Sequence, residues 1–504
     1  MRDIRRQSII SALIIYFGFA VGLLNTYFFT KENGNFTAEQ YGLTSMFMAI
    51  ATLMMAFSSM AMPSFIFKFY HYYADHLPVR KNDMLTWSLL VSSIGFLLVM
   101  ATGWIFKDIV IRKFGEHSSL LLTYYYWIFP MGFGLTIYTI LESYAWSIGK
   151  PVVTSFLKEV EWRLLTTVLI VLFAFRIIPD FDLFIKIYAF TFPGIALTLF
   201  LYLWFTKKIA FTFTISKVTR RYLKKIAALC VFFYSGQLIF TISQVFDSIV
   251  IAALLDDGLS KAGIFGVAQI MTSVIQAPQR SIIASSITHL SRAWKDKNKE
   301  MLQTIYKRAS INLLLFAISI FSLVALNYRE AVITFHLKDV YLLGFTAFIF
   351  LGLTKVIDLG CGLSSQIIVT SNYWRFELIS GVLLIVLMVP STYFLTKEYD
   401  ILGPAIANLF SITIYNTVRI YFLWKKFGLF PFTKKSAYAI GIGGLAFLVC
   451  YFLCNNIHGI PGMFIRSILF LLLFGGIAYM LKLSPDVQPV INTIKQRIIK
   501  KKIN

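Results

Sequence analysis

The amino-acid sequence predicts an all-helical, polytopic membrane protein with about fourteen spans, and three observations lead there. The 504 residues are 58% hydrophobic and 17% aromatic but only 14% charged, and the mean hydropathy of +0.73 exceeds that of a water-soluble domain. The apolar residues gather into blocks of about 20 or more, long enough to cross about 30 Å of hydrocarbon. Fourteen such blocks take about 320 residues and leave about 180 for connections, which excludes a sizeable domain outside the membrane.

The segments follow in order. Residues 8–29 form the first; the Arg2, Arg5, Arg6 cluster before it resembles the start of a secretory leader, but Ser8–Phe29 is too long for one and lacks a small-residue cleavage site. Next come 42–66, 83–105, 119–143, 155–178 and 183–205. Within them Tyr124-Tyr125-Tyr126-Trp127 reads as an interfacial belt, and Glu142, Glu159, Glu161 and Arg163 as end residues that snorkel or pair. The segment 223–254 carries Gln237, Thr241, Gln244, Asp247 and Ser248 along one side. Then follow 263–288, 305–327, 340–370, 376–396 and 401–424, with Arg375, Glu377 and Arg419 again near ends. The last two are 436–455 and 462–482. Gly441-Ile442-Gly443-Gly444, and Gly18 with Gly22, read as sites of close helix packing. Cys230, Cys361, Cys450 and Cys454 all lie in apolar runs, as small packing residues.

Orientation follows from charge. The chain has 47 Lys+Arg against 24 Asp+Glu, and placing both termini and the even-numbered connections in the cytoplasm collects about 33 of the basic residues there, against about ten opposite. The loop with Lys207, Lys208, Lys217, Arg220, Arg221, Lys224 and Lys225 and the tail with Lys495, Arg497, Lys500, Lys501 and Lys502 then contact headgroups rather than nucleic acid.

Sliding the chain on itself by roughly 216 to 221 residues exposes a repeat. Tyr41-Gly42 falls on Ala262-Gly263, Gly134-Leu135-Thr136 on Gly352-Leu353-Thr354, and Thr154-Ser155 with Glu161 on Thr370-Ser371 with Glu377. Two six-helix lobes are expected, 1–213 and 214–430, with two further helices and a basic tail over 431–504. An even number of spans in each makes the repeat parallel and points to the cleft between halves as the substrate site.

No nucleotide-binding glycine loop, nucleophile elbow or metal-ligand spacing occurs, so neither catalytic residues nor a metal site nor a cofactor is assigned. Intramembrane polar residues are the informative signal, since a charge at mid-bilayer costs on the order of 2.5–3.5 kcal/mol. Gln269, Ser273, Gln276 and Arg280 share one helix face. Arg280 lies about two turns from its span's nearer end, just after Pro278. Its guanidinium either ties down helix-end carbonyls or an acid, or faces a wet cavity and holds phosphate oxygens. Gln244 and Asn25 are candidate cavity lining, and Asp247 is a candidate cation or proton site. Lys355 and Asp358 stand three apart before Gly360 and Gly362, placed to neutralise each other or to serve substrate and coupling ion.

Asp400-Ile401-Leu402-Gly403-Pro404-Ala405-Ile406-Ala407-Asn408, the run Tyr421-Phe422-Leu423-Trp424-Lys425-Lys426-Phe427-Gly428 with Pro431-Phe432, and Glu39-Gln40-Tyr41-Gly42 resemble the multidrug/oligosaccharidyl-lipid/polysaccharide (MOP) exporter superfamily, in its polysaccharide flippase (Wzx-like) branch. The likeness spans essentially the whole chain through diffuse motifs. It implies a V-shaped, two-lobe, MATE-like fold and a non-enzymatic flippase in the bacterial inner membrane. The implied cargo is undecaprenyl-pyrophosphate-linked oligosaccharide, such as an O-antigen or capsule unit, moved by alternating access with Na+ or H+ coupling. Polysaccharide polymerase and glycosyltransferases are the implied partners. Arg280 resembles the helix-eight arginine that lipid II flippases use for pyrophosphate, but helix one has no arginine within its span, which disfavours lipid II. A drug/cation antiporter is the alternative, kept open by Asp247 and Asp358.

Overall fold

The computed structural model describes residues 2–486, with the side chains at 2–9, 12, 277, 278, 280, 281, 284, 285 and 288 outside the described set. Every element among the described residues is helical, and eleven helices are long and apolar enough to cross a membrane. The remaining expected segments, near 119–143, 155–178 and 401–424, are helical too. The protein is a multi-span membrane protein. Two compact units, Met1–Gly263 and Ile264–Asn504, divide the chain.

The first unit contains α1 (Arg2–Thr30), α2 (Ala38–Ser58), α3 (Met62–Ala74), α4 (Met84–Ile105), α5 (Lys107–Phe114), α6 (Ser119–Thr123), α7 (Ile128–Ser147), α8 (Pro151–Phe156), α9 (Trp162–Ala174), α10 (Phe181–Tyr188), α11 (Thr191–Phe205) and α12 (Lys217–Leu254). Between α8 and α9 the chain makes a π-turn, Leu157–Glu161. The unit boundary falls one helix later than the 213/214 division expected from the repeat, because α12 packs on α2 and α3. Asp83, at the start of α4, anchors that docking: its carboxylate accepts from the Ser216 amide at 2.8 Å and the Thr219 hydroxyl at 2.7 Å, capping α12 from a neighbouring helix.

The Glu39–Gly42 motif is architectural. Thr37 and Gln40 close a capping box, with reciprocal bonds of 3.1 and 2.9 Å. Tyr41 lies tilted against Phe29, ring centres 5.3 Å apart, in a buried aromatic core that includes Phe36, Phe184 and Tyr188. Gly42 brings α2 onto the chain at Leu259, where a β-carbon would stand 1.7 Å from the carbonyl oxygen.

The second unit continues α13 (Gly258–Ser273), which begins just before the boundary, and adds α14 (Ala277–Lys295), α15 (Lys299–Thr334), α16 (Gly344–Gly360), α17 (Ser364–Thr370), α18 (Arg375–Tyr399), α19 (Leu402–Phe427), α20 (Lys434–Leu453), α21 (Gly459–Phe470) and α22 (Gly476–Met480). The motif from Asp400 to Asn408 makes the tight turn from α18 to α19 and the opening of α19. Gly403 lies so close to α18 that a β-carbon would meet the Leu395 carbonyl at 2.3 Å, and Gly428 ends α19 at φ 73°, a left-handed cap.

Helix α15 is a spine for α20, α21 and the π-turn Leu471–Gly475 that follows, with Phe470 and Phe474 buried against Ile311, Leu314 and Ile318. Both ends are pinned: Arg466 donates to Glu330 at 3.0 Å at one, and Arg308 pairs with Asp486 at the other. Of the glycines expected to pack, Gly443 does, against Ile318, whereas Gly441 and Gly444 have nothing within 4 Å of an added β-carbon. Their apolar neighbourhood in sequence concealed which helix face they occupy.

Candidate functional site

The second membrane helix of the first unit is broken. α2 stops at Ser58, Met60 and Ala61 adopt φ 48° and 56°, and α3 restarts at Met62-Pro63. Left-handed backbone at non-glycine residues costs on the order of 1–3 kcal/mol each and persists only where the surroundings impose it. Here the surroundings are polar partners. Tyr234 on α12 donates to the Phe57 carbonyl at 3.0 Å, Gln237 on α12 donates to the Ser59 hydroxyl at 3.0 Å, and Ser92 on α4 donates to the Ser59 carbonyl at 3.3 Å. Ser58 and Thr136 share a hydrogen bond of 2.8 Å. Gly95 makes room, since a β-carbon there would lie 2.4 Å from the Ser58 oxygen. Backbone freed inside a membrane must find such partners.

The corresponding helix of the second half is broken likewise. α13 ends at Ser273, a 3-10 turn occupies Val274–Gln276, and α14 restarts with a proline in its first turn. Pro63 and Pro278 stand close to the repeat offset. Ile275 anchors the turn, fully buried among Leu313, Ala317 and Leu359. Thr272 and Ser273 donate back to the Gln269 and Ile270 carbonyls at 2.8 and 2.6 Å. Matched discontinuities in two repeats mark the places where transporters build binding sites, because half-helix ends and unwound backbone offer unpaired dipoles. The break at Pro278 was legible as a kink; the break at 58–61 was not anticipated, although Pro63 was its available signal.

The sequence-predicted site residues distribute as follows. Arg280 lies in the first turn of α14, and its side chain falls outside the described residues, as does the basic tail beyond 486. Gln269 and Gln276 are half-buried beside the break, and Gln276 occupies the cap position of α14 without bonding back to it. Lys355 is half-buried on α16. Gln244 is exposed, while Asp247, on the same helix, is 2% exposed. Asn25 is placed differently from a cavity-lining residue. It is buried, its Nδ2 donates to the Arg163 carbonyl at 2.8 Å, and its Oδ1 accepts from Thr167 at 2.7 Å.

Asp358 bonds across helices, accepting from Asn416 Nδ2 at 3.0 Å. Asn416 belongs to a network with Arg419 and Glu377, two residues that stand near span ends in the sequence. Arg419, 4% exposed, donates to Glu377 at 3.1 Å and to Asn416 at 3.3 Å, and its guanidinium lies 4.5 Å from the Tyr415 ring centre. Ser365 and Tyr415 also donate to Glu377, at 2.6 and 3.2 Å. In the first unit the repeat mate Glu161 accepts from Thr198 at 2.9 Å. The acid at the start of this helix is thus bonded to the following membrane helix in both halves.

No protein-family profile and no curated protein matches the chain. Solved structures do. The lipid II flippase MurJ in an inward closed conformation is similar at TM-score 0.73 and 16% identity, over 94% of this chain and 99% of its own. An inward-facing multidrug resistance MATE transporter of the MOP superfamily is similar at TM-score 0.66 and 15% identity, over 81% of this chain and 94% of its own. A MOP superfamily transporter from Pyrococcus furiosus, described by the reverse polarity of its binding pocket, reaches TM-score 0.56 at 17% identity, over 84% and 95%. The fold is the one these solved structures share. Paired helix breaks, buried charge within the membrane helices and a transporter fold coincide in one chain.

Proposed function

We propose that this protein is a flippase that moves a polyprenyl-diphosphate-linked oligosaccharide, of the O-antigen, capsule or exopolysaccharide kind, across the bacterial cytoplasmic membrane by alternating access. The observation that carries the reading is the extent of the likeness to a lipid-substrate flippase, 94% of this chain, where the MATE structures reach 81 to 84%. The two helices α20 and α21 lie beyond two six-helix halves, in keeping with that difference. A sugar diphosphate cannot cross hydrocarbon, whereas a polyprenyl tail never needs to leave it, so a wet polar path lined by fixed cations lowers the barrier for the head alone. In this reading Arg280 contacts the diphosphate, Lys355 is a second cation, Gln269 and Gln276 line the path, and Asp247 and Asp358 couple transport to Na+ or H+. Both termini are cytoplasmic, and a polymerase and glycosyltransferases act beside the protein on the same glycan.

Deletion of the gene tests this. Accumulation of lipid-linked glycan intermediates and loss of surface polysaccharide are expected, with drug susceptibility unchanged. The alternative, a drug or cation antiporter, draws on the MATE likeness at TM-score 0.66 and the buried Asp247, and it expects the converse: altered drug resistance and intact surface glycans.

A further inference from the structure

α1 has no arginine within its apolar stretch Leu13–Thr30, yet a guanidinium lies against its middle. Arg163 reaches there from α9, directly after the π-turn Leu157–Glu161. Such turns re-aim side chains and recur at functional sites. Two glycines one helical turn apart receive it. A β-carbon on Gly22 would stand 2.9 Å from Arg163 Nε and 3.2 Å from its Cδ, and one on Gly18 would stand 2.2 Å from the Glu159 carbonyl oxygen and 3.0 Å from Arg163 Nη1. Asn25 and Thr167 fix the backbone beneath, through the 2.8 Å bond to the Arg163 carbonyl and the 2.7 Å bond between their side chains.

The guanidinium is only partly engaged. Nη1 donates to the Glu159 carbonyl at 3.1 Å and to its carboxylate at 2.8 Å, while Nε and Nη2 donate no hydrogen bond among the described residues. The side chain keeps 20% of its surface exposed. Among the nearby charges, Lys158 pairs with Glu142 at 3.2 Å, while Glu161 accepts from the neutral Thr198 hydroxyl at 2.9 Å. An ion pair alone needs neither the glycine cradle nor an open fork edge. A charge packed against a membrane helix is costly unless it meets water or an anion, and the Nε–Nη2 edge, which donates no hydrogen bond among the described residues, matches a phosphate oxygen pair.

We infer that Arg163 is an anion-binding residue of the first unit, taking the diphosphate of a polyprenyl-linked substrate through its Nε–Nη2 edge, with Glu159 as the intramolecular placeholder that holds the fork in position. This deepens the proposed function and rests on it.

The test is binding of undecaprenyl diphosphate, with undecaprenol as the uncharged control, to the purified full-length protein in detergent, read by native mass spectrometry beside thermal unfolding. Wild type binds the diphosphate and not the alcohol. Arg163→Gln weakens binding about tenfold, as expected for loss of a charge-assisted contact, and Arg163→Lys recovers part of it. Glu159→Gln keeps an acceptor for Nη1 and binds more tightly than wild type, because the negative charge beside the fork is gone. Gly22→Ala weakens binding by crowding the fork. Unchanged affinity in Arg163→Gln overturns the inference alone. A parallel loss of affinity in Glu159→Gln and Arg163→Gln also overturns it, since the pair is then purely structural. Failure of the wild type to bind any polyprenyl diphosphate overturns the functional reading and this inference together.

Discussion

Gly42 and Gly263, which the internal repeat pairs in sequence, also meet in space. A β-carbon on Gly263 would stand 3.1 Å from the Gly42 Cα, and one on Gly42 would strike the Leu259 carbonyl oxygen at 1.7 Å. Both obstacles are backbone and cannot turn aside. Gly42→Val is therefore expected to abolish a monodisperse, folded protein in size-exclusion chromatography, whereas Gly441→Ala and Gly444→Ala, open at that position, stay within about 0.5 kcal/mol of wild type.

The break between α2 and α3 depends on α12. Tyr234→Phe removes the donor to the Phe57 carbonyl, and Gln237→Leu the donor to the Ser59 hydroxyl. Loss of the exposed Tyr234 bond is expected to cost about 0.5–1.5 kcal/mol, the net worth of an ordinary hydrogen bond, and loss of the donor to buried Ser59 about 1–3 kcal/mol. Thermal unfolding in detergent should show lower midpoints, with the double variant lower than either single one. No shift would mean that water already satisfies these groups.

Arg419 and Glu377 form a buried pair whose side chains are 5% and 22% exposed. Removing one partner leaves an uncompensated charge, so Arg419→Leu is expected to destabilise by about 3–5 kcal/mol, and Arg419→Leu with Glu377→Leu to recover much of that loss. Chemical unfolding of the three proteins checks the order. If Arg419→Leu were as stable as wild type, the network would not be a core element of the second unit.

Glu330 gathers the Arg466 guanidinium at 3.0 Å and the Gly459 amide, and Arg466 also donates to the Leu326 carbonyl at 2.9 Å. Arg466→Leu is expected to loosen α20 and α21 from α15 while leaving the first unit intact. Hydrogen exchange should rise in α20 and α21 and stay unchanged in α1 to α11; uniform change would contradict the clamp.

Much of this architecture was legible in the sequence because hydrocarbon imposes length and apolarity on every span. The fourteen segments, the repeat and the proline before Arg280 all follow from composition and spacing. Arg163 and Arg419 were harder. Both stand near segment ends, where a basic residue ordinarily snorkels, and only the packing of α1 on α9 and of α18 on α19 shows them engaged inside a unit. The break at 58–61 escaped because Met60 and Ala61 carry no turn signature; the groups that bond the adjoining Phe57 and Ser59, from Tyr234, Gln237 and Ser92, are distant in sequence. The allegiance of α12 to the first unit rests on Asp83, Ser216 and Thr219, which no periodicity joins.

The central claim is transbilayer movement of a polyprenyl-diphosphate-linked glycan. Its most direct measurement is reconstitution into proteoliposomes with a fluorescent polyprenyl-diphosphate oligosaccharide in the inner leaflet, an imposed Na+ or H+ gradient, and a membrane-impermeant quencher outside. The account predicts gradient-dependent quenching with wild type and its loss with Arg280→Ala at equal insertion. Quenching no faster than in protein-free vesicles would contradict it.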